Sequence, residues 1–344
     1  MANEKRIDWI DMAKGMGMIL VVYGHVSFTP EWLDVWLCSF HMPLFFFLSG
    51  LTFNVDKYSE FKLLIKNKIK TLVIPYLIFA CVTWFWRLGW ELIYFIKGGT
   101  AFDIGYLIKQ AIGIAVQIRT TSYGIGVWFI PCIFVAFVIL YVIMRISKEK
   151  RRNAMILATS CLVVGYFYCE YVDIKLPWAI DAALVAVFFM TIGCVFQTGW
   201  KKALNSNKKY IVCVIAFAVN IMCTYLNWRI LGRTVGMWSN NYGNLIYFLG
   251  GAISGIVFAM CISNIFSIES IRSVGKNSIF YYGTHILVVE VLSIFVTRIP
   301  GIQNEVVGFI VTTGMVIIIL MLLRLFLPIY KKIYDVSVKR CFSK

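Results

Sequence analysis

Histidine is scarce in this chain, with three among 344 residues: His25, His41 and His285. Charge is scarce as well, at 15% of residues against about a quarter in soluble domains. No polar stretch is long enough to make a soluble domain of ordinary size, which leaves a single integral membrane domain over 1–344. Acidic residues number 17 against 33 basic ones, a net charge of +16. The basic residues sit in short loops between apolar runs, so they read as topogenic charge, and no nucleic-acid partner is expected. The 10 cysteines stand singly, mostly inside apolar runs. No C-x-x-C and no Cys/His ligand spacing occurs, which argues against a disulfide framework and against a metal site. Neither a G-x-S-x-G nor a Ser-x-x-Lys context surrounds Ser49, so no serine nucleophile is indicated there. Solenoid-length repeats and matched Gly/Pro-broken helices, the cue for a transporter, are also missing.

What is present is apolar: 60% of residues are hydrophobic and 16% aromatic. Crossing a bilayer takes roughly 20 apolar residues. Ten candidate spans lie near 9–29, 35–53, 71–96, 126–145, 154–171, 178–197, 209–227, 244–264, 277–297 and 305–328. The stretch 101–118 is apolar but interrupted, and reads as interfacial or re-entrant. The expected fold is an all-α polytopic membrane bundle of about ten transmembrane helices. The N-terminal run carries Asp11 and Lys14 near its start and no A-x-A site, so it reads as a retained first helix. With the N-terminus inside, the basic clusters at 57–70, 145–152, 201–209 and 331–344 fall on the inner side. So do Lys5, Arg6, Arg272 and Lys276. The outer side keeps Lys97, Lys109, Arg119, Lys175, Arg229, Arg233 and Arg298. The positive-inside rule therefore places both termini in the cytoplasm of a cell-membrane protein.

All three histidines fall inside the apolar runs, where an ionisable side chain is costly and marks function by default. Histidine is also the side chain best suited to move a proton near neutral pH. On the first helix, Asp11, Lys14 and His25 share one face by 3.6-residue periodicity. Lys14 and His25 are about 16 Å apart in rise, which reads as two ends of one ligand path. The plainer reading of Asp11 and Lys14 is an i,i+3 ion pair at the membrane face, compatible with the first. On the second span, His41 lies at a depth similar to His25, Pro43 is expected to bend the helix, and Ser49 lies deeper. His41 and His285 read equally as buried structural histidines, and Ser49 as a hydroxyl bonded to its own helix. Lys62, Lys66 and Lys70 recur at i+4 in an amphipathic segment that suits lipid headgroups or the phosphates of a nucleotide-bearing cofactor. Trp128 opens the fourth span at an interfacial position. Tyr242 and Asn244, with Asn240 and Asn241 nearby, suit sugar hydroxyls or an ordinary loop.

Seven blocks occur in order: RIDWIDMAKGMGMILVVYGH, SFHMPLFFFLSGLTF, KNKIKTLVIPYLIF, GVWFIPCIF, LPWAIDAALVAVFFMTIG, YGN and IRSVGKNSIFYYGTH. Together the blocks resemble integral-membrane acyltransferase family three, in a branch similar to fucose 4-O-acetylases. The resemblance implies transfer of an acyl group, usually acetyl, from cytoplasmic acyl-CoA to a hydroxyl of a cell-envelope glycan or lipid-linked sugar. Lys14 and His25 match its hallmark of a basic residue, ten intervening residues and a histidine. The family usually has arginine at the first of these positions, and lysine cannot make arginine's bidentate fork. The resemblance makes His25 the catalytic base, with Asp11, His41, Ser49 and His285 in support. It places Lys14, Lys66, Lys68 and Lys70 on acyl-CoA; Trp128, Tyr242 and Asn244 are the candidates for the acceptor. Two other classes stand beside it: a sugar or drug transporter or flippase with an intramembrane His/Lys relay, and a regulatory protein that keeps the fold without catalysis. Clustering of the motif residues in the first two helices, with the basic segment, favours the enzyme.

Overall fold

A computed structural model describes residues 7–98, 103–119, 121–122, 126–299 and 301–342, with the side chains of 201–203 left out. Lys5, Arg6 and Lys344 of the charge pattern lie outside the described residues, and so do the side chains of Lys201 and Lys202. In chain order the helices are α1 (Asp8–Tyr23), α2 (Glu31–Cys38), α3 (His41–Leu51), α4 (Phe61–Lys68) and α5 (Ile74–Ile96). They continue as α6 (Ile104–Val116), α7 (Phe129–Ile146), α8 (Arg151–Tyr171), α9 (Ile180–Phe196) and α10 (Trp200–Asn205). The last are α11 (Lys209–Leu231), α12 (Leu245–Ile265), α13 (Glu269–Lys276), α14 (Ser278–Val296) and α15 (Glu305–Phe342). Among the described residues there is no strand, only an isolated bridge between Gly236 and Asn241. The protein is an all-α polytopic membrane bundle.

Nine helical stretches among the described residues are long and apolar enough to cross a bilayer. The first expected span is the exception, because α1 has only 16 residues and carries Asp8, Asp11 and Lys14. The third is longer than expected. α4 runs through a π-turn at Ile69–Val73 into α5, so Lys66, Lys68 and Lys70 stand on the span's own first turns. Residues 101–118 hold α6, a helix of 13 residues, too short to span. Pro43 does not bend the second span. The break falls between α2 and α3, and Pro43 sits in the first turn of α3, where no helical N–H is needed.

Contacts divide the described residues into two compact units. The first comprises the residues up to 53 with 189–237 and 241–323. In it α1 packs against α3, α12, α13 and α14. α1 and α13 approach until their backbones touch: a Cβ on Gly15 would overlap the Ile271 carbonyl, and one on Gly275 the Asp11 carbonyl. Arg272 fastens this crossing by pairing with Asp8 at 2.7 Å and with Glu269 on its own helix. Hydrogen bonds from Lys276 and Arg272 hold the Glu269 carboxyl below its ordinary pKa. Asn220 of α11 is fully buried and donates to the Gly251 carbonyl (2.8 Å) and to Ser39 Oγ (3.2 Å), tying α11 and α12 to the α2–α3 corner.

The second unit comprises 54–188, 238–240 and 324–344. There the end of α15 lies along α4 and α5. Phe79 stacks on Tyr330 at 5.2 Å, and Tyr334 donates to the Lys70 carbonyl, which lies in the π-turn.

Candidate active site

Each histidine is held by a backbone carbonyl about one turn before it, His41 by a carbonyl of α2. His25 Nδ1 lies 2.8 Å from the Val21 carbonyl, His41 Nδ1 2.7 Å from Leu37, and His285 Nδ1 2.8 Å from Tyr282. A carbonyl only accepts, so Nδ1 carries the hydrogen in each neutral ring and Nε2 is the basic nitrogen. Three rings with one orientation rule are brought to one place in the first unit. The His25 and His285 rings meet edge to face, with centroids 4.7 Å apart. His25 is also close enough to His41 for the two to interact electrostatically. His41 and His285 are buried, and His285 Nε2 has no hydrogen-bond partner. His25 is the exposed member of the trio.

A carboxylate that sequence reasoning missed stands at this site. Asp34 Oδ1 would lie 3.7 Å from a Cβ on Gly24, the residue before His25. Its electrostatic influence reaches the His25 ring. Asp34 Oδ2 accepts from Thr234 Oγ1 at 3.1 Å, and Oδ1 takes the Cys38 thiol at 3.6 Å. The signal was available, a carboxylate nine residues beyond His25. Asp34 falls just before the second apolar run, however, and a span-by-span search passes over it.

The other expected site residues are spread more widely. Asp11 and Lys14 lie near the opposite end of α1, about 21 Å and 16 Å from His25 by rise. There Asp11 is buried and Lys14 half-buried, on the turn that crosses α13. Ser49 Oγ donates to the Phe45 carbonyl at 2.7 Å, within its own helix. Tyr242 is buried against Phe248 with ring centroids 5.0 Å apart. Asn244 caps α12, its Oδ1 accepting from the N–H groups of Ile246 and Tyr247.

Lys66, Lys68, Lys70 and Trp128 belong to the second unit. Lys66 and Lys70 are exposed, while the Lys68 ammonium sits 3.2 Å over the Phe137 ring centroid. Trp128 is buried beside a charge cluster that sequence reasoning treated as loop charge. Arg119 Nη2 donates to Asp181 Oδ2 and Asn240 Oδ1, both at 2.8 Å, Asn240 Nδ2 donates to Asp181 Oδ2 at 2.6 Å, and the guanidinium lies 5.6 Å from the Trp128 ring centroid. Gln117, Trp178, Ala179 and Asn240 around it adopt φ values of 44°, 55°, 56° and 63°, a backbone region costly for residues other than glycine.

Among the described residues no group of three or more His, Cys, Asp or Glu is placed to hold a metal ion. What the histidine site can do is move a proton: an exposed, oriented imidazole with a second imidazole against its ring and a carboxylate close to the preceding glycine. A protein-family model described as an acyltransferase domain (Acyl_transf_3) matches residues 7–325. No curated protein and no solved structure matches the chain.

Proposed function

Since the chain belongs to the acyltransferase-3 family, we propose that it is a membrane O-acyltransferase moving an acetyl group from acetyl-CoA to a sugar hydroxyl, with His25 as the general base. The observation that carries this reading is the histidine trio: His25 exposed, held through Nδ1 and edge-on to His285 at 4.7 Å. His25 Nε2 takes the proton of the acceptor hydroxyl as its oxygen attacks the thioester carbonyl. The C–S bond breaks, the acyl group stays on the acceptor oxygen, and the proton held by His25 passes to the departing CoA sulfur. Asp34 faces the imidazolium formed in between and stabilises it. His285 and His41 fix the place of the His25 ring.

The donor is assigned to the other end of α1. Lys14 meets the CoA end of the molecule, and the pantetheine arm covers the roughly 16 Å to His25. Lys66 and Lys70, exposed in the second unit, are the lysines that the family resemblance assigns to the donor's phosphates. Lys68, already over an aromatic ring, contributes less. Trp128, Tyr242 and Asn244 are buried or engaged in a cap and act on the acceptor through the loops they brace. The acceptor is a sugar of the cell envelope, in keeping with the resemblance to fucose 4-O-acetylases.

The test uses purified protein in nanodiscs with radiolabelled acetyl-CoA, with and without an envelope glycan fraction. Acceptor-dependent CoA release is expected. His25→Ala should lose it by about a hundredfold or more while still binding acetyl-CoA. Native-rate transfer by His25→Ala would remove the base assignment, and a wild-type protein that does not bind acetyl-CoA would remove the donor.

A further inference from the structure

The histidines gather at the end of the first unit where α1 finishes. At the other end, where α1 begins, α10 lies against it, Trp200 packing on Trp9 with ring centroids 5.3 Å apart. There an apolar cavity of about 420 Å³ lies between α3, α9, α10, α11 and α12, all of the first unit. That volume is within the range of ligand pockets, about 300–1,000 Å³. Phe47, Phe196, Leu204 and Met260 form its walls. Val212 of α11 and Ile253 of α12 belong to the same lining and are exposed. The cavity therefore opens sideways between two helices long and apolar enough to cross a bilayer, where a hydrocarbon chain can enter.

The hydroxyl and ammonium groups of the lining are gathered at one place, where α10 gives way to α11: Ser206, Lys208 and Lys209. Among the described residues no carboxylate lines the cavity, and neither lysine forms an ion pair. Lys208 is exposed and Lys209 half-buried. Lys209 Nζ donates to Asn264 Oδ1 at 3.0 Å and lies 5.4 Å from the Tyr210 ring centroid. Both partners are neutral, so they fix the ammonium in place without cancelling its charge. No side chain caps the start of α11, and the positive end of its dipole adds to the same field. An apolar cavity beside two such cations fits one kind of molecule, with a hydrocarbon chain inside and an anionic head group at the lysines. A zwitterionic head group gains less there, because its own cation opposes them.

We infer that this cavity binds an anionic phospholipid, with one hydrocarbon chain between α11 and α12 and the phosphate on Lys208 and Lys209. The positive-inside rule assigns this end of the unit to the cytoplasm, so the lipid is drawn from the inner leaflet. The site lies at the opposite end of α1 from the histidines, and none of its lining residues is assigned to acyl transfer.

The test is photolabelling of the full chain in phosphatidylcholine nanodiscs, with diazirine-chain phosphatidylglycerol and, separately, diazirine-chain phosphatidylcholine, followed by mapping of the labelled peptides. Phosphatidylglycerol is expected to label the peptides 192–212 and 253–261 about tenfold more strongly, the scale of one to two lysines at a membrane surface. Added salt should shrink that preference. Lys208→Gln with Lys209→Gln should lower phosphatidylglycerol labelling to the phosphatidylcholine level, whereas Lys208→Arg with Lys209→Arg should keep the preference. Val212→Trp, made at an exposed position of the opening, should remove labelling of the cavity by either lipid. All three variants should unfold in detergent at the wild-type midpoint, which shows that they fold. Equal labelling of the wild type by the two lipids would make the cavity a place for bulk bilayer lipid and overturn the inference. A double glutamine variant that keeps the full preference would overturn it as well.

Discussion

A histidine bonded through Nδ1 to a carbonyl one turn back has surrendered one nitrogen to its helix and offers the other to chemistry. His25, His41 and His285 all make this bond, yet only His25 is exposed, so the same local geometry yields one accessible imidazole and two buried ones. Asp34 completes the arrangement through charge. Asp34→Asn keeps the shape and can still accept from Thr234, but it removes the negative charge that faces His25. The expected result, if the proposed donor site near Lys14 holds, is a fall in kcat of about tenfold or more with KM for acetyl-CoA unchanged, since that site is a helix length away. A steady-state split between kcat and KM checks it. An equal rise in KM would mean that Asp34 only shapes the helix. The histidines were legible in the sequence because hydrocarbon makes a polar ring conspicuous. Asp34 was not, because its importance comes from α2 folding back beside Gly24, a proximity that carries no periodicity.

Helix α13 shows what an element contributes. Its eight residues hold Gly275 against the Asp11 carbonyl of α1, and Arg272 bridges to Asp8. Glycine is a poor helix former, by about 1 kcal/mol relative to alanine, so its presence needs a reason, and backbone contact supplies one. Gly275→Ala gains propensity but sets a methyl group into a carbonyl that cannot move aside. Overpacking costs about 1–3 kcal/mol, and against rigid backbone the clash outweighs the gain. Thermal unfolding in detergent should show a lowered midpoint for Gly275→Ala. Gly89→Ala in α5, with nothing within 4 Å of its added Cβ, should hold or raise it. Equal midpoints for the two variants would refute the α1–α13 contact. The blocks around Gly15 and Gly275 were visible in the sequence, but which helices touch was not, since neither stretch advertises its partner. Pro43 carries the same lesson: the residue type suggested a bend, whereas its place in the first turn of α3 makes it harmless.

Orientation belongs to the whole chain. α15 has 38 residues and is about 57 Å long, nearly twice the hydrocarbon thickness. Its apolar part starts at Glu305, and beyond Pro328 it carries Lys331, Lys332, Lys339 and Arg340. That basic end lies beside the basic first turns of the third span, where Phe342 meets Lys66 and Tyr334 meets the Lys70 carbonyl. Two helices of the second unit thus gather their lysines at one end, and the positive-inside rule predicts a cytoplasmic location for that end. The span pattern was legible from hydropathy alone. The pairing of these two basic ends was not, because 264 residues separate Tyr334 from Lys70. Cys341 reports on the outcome, being exposed near the end of α15. A membrane-impermeant maleimide should leave Cys341 unmodified in intact cells and modify it in inside-out vesicles. Cys341→Ser identifies the labelled site in both. Modification in intact cells would turn the second unit over and put the basic ends of α15 and the third span on the outer side.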